Sequence, residues 1–294
     1  LKRKILTLAL ALLMAATLAA CSEGNDTPPV SQSPDGGTVT PTPTPTPPPP
    51  TPPAADIPVN PVSDFNYAYN AEYGGVEITR YKGTNALRVR VPSEIEGQPV
   101  TSIRGTTLGR NGWILGAFHK ASVMEVYLPN SIVNIGDEAF EGSDITSIVI
   151  PDSVITIGRS AFQDCVGLES VTIGTGVTSI SGGAFSGTAL FDNAPDGLFY
   201  VDNWLIGYKG ENPTGDIVIR EGTRVIANDA FFSCQEITSV TIPDSVKSIG
   251  EYAFDVIDNL SITYRGVVYT SIRPDGWEID IMPQEFYDAI NNSK

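Results

Sequence analysis

Residues 145–162 read ITSIVIPDSVITIGRSAF, and residues 237–254 read ITSVTIPDSVKSIGEYAF. Twelve of the eighteen positions are identical, and the copies lie 92 residues apart, four times 23. Self-similarity at a fixed period of this size marks a repeat architecture, in which each unit buries its apolar face against its neighbours.

The same register extends outward in both directions. An Ala-Phe pair recurs at Phe118, Phe140, Phe162, Phe185, Phe231 and Phe254, at spacings of 22, 22, 23, 46 and 23. The doubled spacing marks one unit without its signature, at 190–215. Five residues before the later Phe positions stand Ile135, Ile157, Ile180, Ile226 and Ile249. The first unit instead has Ile103, fifteen residues before Phe118, so it carries an insertion within RGTTLGRNGWIL, 104–115. Each unit also holds one β-like triplet, such as Val126-Tyr127-Leu128, Ile148-Val149-Ile150, Val171-Thr172-Ile173, Ile217-Val218-Ile219 and Val240-Thr241-Ile242. Strand side chains alternate, so the apolar outer residues face the core. The middle residues Tyr127, Val149, Thr172, Val218 and Thr241 then form an outward row, the candidate binding face. A turn follows in Pro129-Asn130-Ser131, Pro151-Asp152-Ser153 and Pro243-Asp244-Ser245. Proline withholds the next strand donor, and Asn or Asp closes a local side-chain turn. Gly136, Gly158 and Gly250 after the Ile indicate close backbone approach, while Ser181 and Ala227 at the same place argue against an obligatory positive φ.

The recurring I-P-[DN]-S-V/I-x-x-I-G-x-x-A-F core, over roughly 98–264, resembles the BspA-type leucine-rich repeats of bacterial surface proteins. The resemblance implies a β-rich repeat solenoid, a leucine-rich-repeat right-handed superhelix with a parallel sheet, few short helical turns and a cap at both ends. The expected organisation is an N-terminal cap unit at 62–98, about seven coils at 99–264, and a C-terminal cap at 265–294. Alternating DFNYAYN and GVEITRY around Gly74-Gly75 give the first cap a hairpin-like pattern. At the other end, Pro283 to Asn292 suits a short closing helix.

The N-terminus has the three parts of an export signal. Lys2-Arg3-Lys4 precedes an apolar run, Ile5 to Ala20, and Leu18-Ala19-Ala20-Cys21 resembles the lipobox of bacterial lipoproteins. That resemblance implies removal of 1–20 and a lipid on Cys21, which attaches the chain to a bacterial membrane at the cell surface. Residues 22–61 contain 14 of the 23 prolines, no Lys or Arg and no aromatic residue. With Cys21 they form a Pro/Thr-rich linker that cannot pack a core. At ~3.1 Å per residue in polyproline II it reaches on the order of 120 Å.

The chain carries 18 Lys+Arg against 34 Asp+Glu, a formal net charge of −16. Loss of Lys2, Arg3 and Lys4 leaves −19. This disfavours nucleic acid, whose binding depends on neutralising phosphates with Lys and Arg. Cys165 and Cys234 each follow an Ala-Phe pair by three residues, three coils apart. At about 4.8 Å per strand they are separated by roughly 14 Å, beyond the ~7 Å limit for a disulfide. They read as free thiols in one core column.

No catalytic constellation is present in the sequence. The single histidine, His119, follows Phe118 at a place that is polar in other units. There is no G-x-S-x-G, H-E-x-x-H, C-x-x-C or phosphate-cradling Gly loop. Residues 192–197 (DNAPDG) glance at a calcium loop, but Ala194 stands where a ligand should be and Pro195 stiffens the turn. The reading is therefore no enzyme, no cofactor and no metal. Aromatics gather in LFYVDNWLIGY, 198–208, and near the C-terminus. They either pack as a hairpin and a closing cap, or stay exposed for sugar or protein contact. Trp113, Trp204 and Tyr208 are the candidate exposed rings.

These readings converge on a lipid-anchored monomer that binds an extracellular protein or glycan. Adhesion to host matrix or to other cells is implied by the family resemblance alone. The alternatives are a structural envelope protein with no extracellular ligand, or a non-catalytic module of polysaccharide processing.

Overall fold

The computed structural model describes residues 57–84, 87–109, 112–272 and 282–291. The signal, Cys21 and most of the linker lie outside the described residues. The rest is a parallel β-solenoid of very few helices.

Each regular coil contributes two short strands rather than one. The triplets build an outer sheet of Arg88–Arg90, Glu125–Tyr127, Ser147–Ile150 and Ser170–Ile173, all parallel. The Ile positions build a second parallel ladder through Gln98–Ile103, Asn134–Ile135, Thr156–Ile157 and Ser179–Ile180. The register is one residue per coil in both. Ile148 stands opposite Val126 and Val171, and Ile157 opposite Ile135 and Ile180. All six point inward and are buried.

Between the ladders the Ala-Phe segments stack their rings. Phe118–Phe140, Phe140–Phe162 and Phe162–Phe185 have centroids 4.9, 5.1 and 5.4 Å apart, with planes within 14° of parallel. Tyr81 extends the column at 5.4 Å from Phe118. The backbone here alternates handedness. Positions two before the Phe (Glu138, Ser160, Asp229, Tyr252) and two after it (Lys120, Asp164, Ser233, Val256) have φ between 52° and 62°. The alternation aims every second amide at the next coil. Glu138 N donates to Arg159 O, Phe140 N to Ala161 O and Gly142 N to Gln163 O, each at 2.8 Å. Three coil-to-coil bonds per turn offset the strain of left-handed backbone at non-glycine residues, of order 1–3 kcal/mol each.

The glycines after Ile do a different job. A Cβ on Gly136 would lie 2.3 Å from Gly105 N, and one on Gly158 2.4 Å from Asp137 N. Close approach, not positive φ, selects Gly there. The turn residues also depart from the local reading. Ser153 Oγ donates to Ile132 O of the preceding coil at 2.6 Å, and Asp152 accepts the Thr175 amide of the following coil at 2.6 Å. The Pro-Asp-Ser turn is a clamp between coils.

Residues 190–215 do not form a worn coil. A helical turn, Ala189–Asp192, leads into an antiparallel hairpin, Gly197–Val201 with Trp204–Lys209. The triplet strand is absent, the first outer sheet ends at Ser170–Ile173, and a new one begins. It comprises Gly215–Val218, Ile237–Ile242 and Ser261–Tyr264, with antiparallel Val267–Thr270 at its edge. The hairpin repeats the device that opens the solenoid, Phe65–Asn70 paired antiparallel with Gly75–Tyr81. Tyr81-Lys82-Gly83 and Tyr208-Lys209-Gly210 end the two hairpins alike. The repeat region is thus two arrays in tandem. Alternation along Trp204-Leu205-Ile206 makes this strand the wall between two cores: Trp204 and Ile206 join the first, Leu205 the second. The second array closes on helix Gln284–Asn291, whose Phe286 meets Phe254 edge-on at 6.2 Å.

Candidate binding faces

The outward row is split by this re-initiation. Tyr127, Val149 and Thr172 align in the first outer sheet, with Arg90 completing their line. Val218 and Thr241 belong to the second, aligned with Thr263. The five positions are two faces, because the coil that would have joined them supplies a hairpin instead.

The faces differ in what they offer. On the first, Tyr127 is half-buried and donates its hydroxyl to Glu125, which also pairs with Arg88 at 3.2 Å. Burial, helped by the Glu125 hydrogen bond, pushes the Tyr127 phenol up to about 12. This end of the row is tied down, while Val149 and Thr172 are exposed. On the second face Val218 is 71% exposed and Thr241 is exposed. They line an open groove of about 360 Å³ together with Thr263, Asp244 and Arg265. On the same sheet, Asp216 accepts from Ser239 Oγ at 2.7 Å and Thr238 Oγ1 at 3.0 Å, and these bonds hold its carboxyl below the usual range. The second face presents small groups, one cation and carboxylates, the inventory for a polar ligand held by shape and hydrogen bonds.

The candidate aromatics divide. Trp113 is 70% exposed on a small hairpin, Thr107–Gly109 with Gly112–Ile114, formed by the first-unit insertion. Trp204 is not exposed: only 3% is reached by solvent, since the second hairpin turns it into the first core. Tyr208 is half-buried against the second core, its hydroxyl 2.8 Å from Asn212 Oδ1, and burial raises its pKa.

Four titratable groups away from this groove are committed to structure. Cys165 is buried, its thiol donates to Phe140 O at 3.1 Å, and burial pushes its pKa up to about 11. Cys234 is a second buried free thiol, likewise raised by burial. His119 is half-buried, with Nδ1 3.2 Å from Glu141 Oε2. In the loop that resembles a calcium site, Lys209 Nζ sits 2.6 Å from Asp192 O and 2.7 Å from Ala194 O, filling the place of a cation with an ammonium. Among the described residues, no group of three or more His, Cys, Asp or Glu is arranged to hold a metal ion. No helix among them is long and apolar enough to cross a membrane.

The description "BspA type Leucine rich repeat region" matches six copies, over residues 115–194 and 208–273. No curated protein matches the chain. Among solved structures the chain is similar to a leucine-rich repeat protein of T. pallidum, at 24% identity over 69% of this chain and 70% of that one, with a TM-score of 0.32. It is similar to the pneumococcal vaccine antigen PcpA at 17% identity, covering 64% of this chain and 63% of that one, TM-score 0.31. A leucine rich cell surface protein from Faecalibacterium prausnitzii A2-165 shares 21% identity over 72% and 78%, TM-score 0.25. The period, the coil-to-coil ladders and the six matched copies lead to one conclusion: the repeat domain belongs to the BspA-type leucine-rich-repeat family.

Proposed function

We propose that this chain is a non-enzymatic, lipid-anchored bacterial surface protein whose solenoid binds an extracellular protein or glycan, in adhesion. One observation carries the reading. The outward groups of the second array, Val218, Thr241 and Thr263, are brought into one row by the parallel ladder and line an open groove. Solenoids use such repeated outward positions as extended binding surfaces. The lipobox-like Leu18-Ala19-Ala20-Cys21 and the Pro/Thr-rich linker support display away from a membrane. Cys165, Cys234, His119 and Lys209 are held in packing or in contacts with neighbouring segments, which favours binding over catalysis.

The purified chain is to be tested for saturable binding to matrix proteins and to glycans, with Val218→Arg and Thr241→Glu as groove variants. Binding abolished by these variants, with unchanged melting temperature, supports the reading. Binding that ignores both variants removes the groove from it, and no saturable binding to any ligand favours a structural envelope role. Substitution of Cys21 by Ser is expected to release the protein from the membrane fraction. Retention of the variant there overturns the lipid anchor.

A further inference from the structure

The outward face of the second array is made of hydroxyls. Its two rows are fixed by register: Ser239 stands opposite Ser261, and Thr241 opposite Thr263. Antiparallel pairing adds Thr270 beside Ser261 and Val268 beside Thr263. Ser239, Thr241, Ser261, Thr263 and Thr270 therefore share one face, and exposed Val218 and Val268 end the second row. No aromatic side chain stands in either row. Protein interfaces draw most of their binding energy from Trp, Tyr and Arg anchors, among which Ser, Thr and Val are under-represented. Hydroxyls that both donate and accept, repeated by the ladder at about 4.8 Å, match the hydroxyls of a sugar chain instead.

The groove on this face also holds a guanidinium with no acidic partner. Arg88, Arg104 and Arg159 pair with Glu125, Glu77 and Glu138. Arg265 is exposed and is the cation that lines the groove with Thr263. Its guanidinium lies 5.2 Å from the Tyr264 ring centroid, and among the described residues no carboxylate is within ion-pair distance of it. A guanidinium grips a carboxylate through two parallel hydrogen bonds. Contact with the ring restricts the side chain beforehand, so less rotamer freedom is lost on binding. Glu221 and Asp244 line the same groove. Carboxylates only accept, so they take the hydroxyl hydrogens of a sugar and repel a second acidic group.

We propose that the groove of the second array takes a glycan in which a carboxylate-bearing sugar stands among neutral ones. Arg265 grips the carboxylate, Glu221 and Asp244 accept from neighbouring hydroxyls, and the Ser and Thr rows carry the rest of the sugar chain. This rests on the reading of the groove as the binding site and names the chemistry of its ligand.

The test titrates the full chain by calorimetry with sialyllactose, whose acid is terminal, and with a hyaluronan tetrasaccharide, whose acids alternate with neutral sugars. The carboxyl methyl ester of each is the control. The expected result is saturable binding of either acid, weakened on the order of ten-fold or more in its ester. Arg265→Gln should bring the acid down to the affinity of the ester without changing the melting temperature, since Arg265 is exposed. Arg265→Lys, which keeps the charge and loses the fork, should fall between. Equal affinity for acid and ester overturns the proposal, as does an acid-to-ester ratio that survives Arg265→Gln. If neither acid binds the proposal falls, and a matrix protein whose binding Val218→Arg abolishes would then leave the groove reading standing. An acid whose binding neither Arg265→Gln nor Val218→Arg weakens overturns both.

Discussion

Asp202 Oδ2 accepts the amide of Ile173 at 3.1 Å, across 29 residues of chain. Ile173 ends the last strand of the first outer sheet, and Asp202 lies in the turn of the second hairpin with φ at 49°. The Asp202 carbonyl also accepts the guanidinium of Arg220, just beyond the first strand of the second outer sheet. One residue thereby satisfies the end of one array and ties it to the beginning of the next.

Replacing Asp202 by Ala should leave the Ile173 amide unpaired. A lost hydrogen bond with a stranded donor costs about 1–3 kcal/mol. Asp202→Asn keeps an acceptor and should lose less. Denaturant unfolding of the two variants checks the order, and equal losses would assign the effect to the turn conformation instead.

Two arrays with separate cores should respond separately to core mutations. Leu205 is fully buried in the second core, beside Trp204 in the first. Leu205→Ala should destabilise the second array by about 2–5 kcal/mol. Nearest-neighbour coupling in solenoids lets this appear as an earlier loss of protection in the second array. Amide hydrogen exchange, resolved by segment, measures it; uniform loss across both arrays would mean a single cooperative unit.

The ring column predicts a gradient. Phe140 lies between two rings, 4.9 Å from Phe118 and 5.1 Å from Phe162, while Phe231 has one stacked neighbour, Phe254, at 5.3 Å. Both are fully buried. Phe140→Ala should cost about 3–5 kcal/mol. Phe231→Ala should fall at the lower end, since ring pairs add about 0.5–1.5 kcal/mol each. Equilibrium unfolding of the two variants compares them directly.

Asp229 sets a pH dependence. Desolvation, followed by the like charges of Glu251 and Asp255, raises its pKa from 3.8 to about 6. The folded state therefore holds this proton more tightly than the unfolded chain. The contribution is complete below the unfolded value near 3.8 and is lost as pH rises through about 6. Asp229→Asn should raise the melting temperature at neutral pH and have little effect near pH 4. Asp216, whose pKa is lowered, works in the opposite sense and is lost as pH falls. The wild-type minus variant difference isolates Asp229.

Much of this was visible in the repeat itself. The inward Ile and Val positions and the Phe column follow from a period that only stacking can satisfy. Cys165 and Cys234 are buried free thiols as expected, but they lie in separate cores rather than one column, because the hairpin interrupts the coils between them. The second ladder was harder to see. Thr156–Ile157 is two residues long, too short for alternation to register. The left-handed positions were invisible because Lys120, Glu138, Asp164, Tyr252 and Val256 occupy them as readily as glycine. Coil-to-coil hydrogen bonds, not local preference, hold them there. Trp204 was misplaced because alternation divides a strand into two faces without saying what covers either.

The amino-acid sequence by itself determined that this chain stacks, in which register and with which side chains inside, because identical units have only one way to bury identical faces. Only the tertiary structure decided that the stack begins twice and that the outward row is two faces. It also decided that Leu108 and Trp113 of the first-unit insertion stand clear of the core. Those outcomes depend on what covers a surface, and coverage depends on residues brought together across the fold rather than on neighbours in the chain.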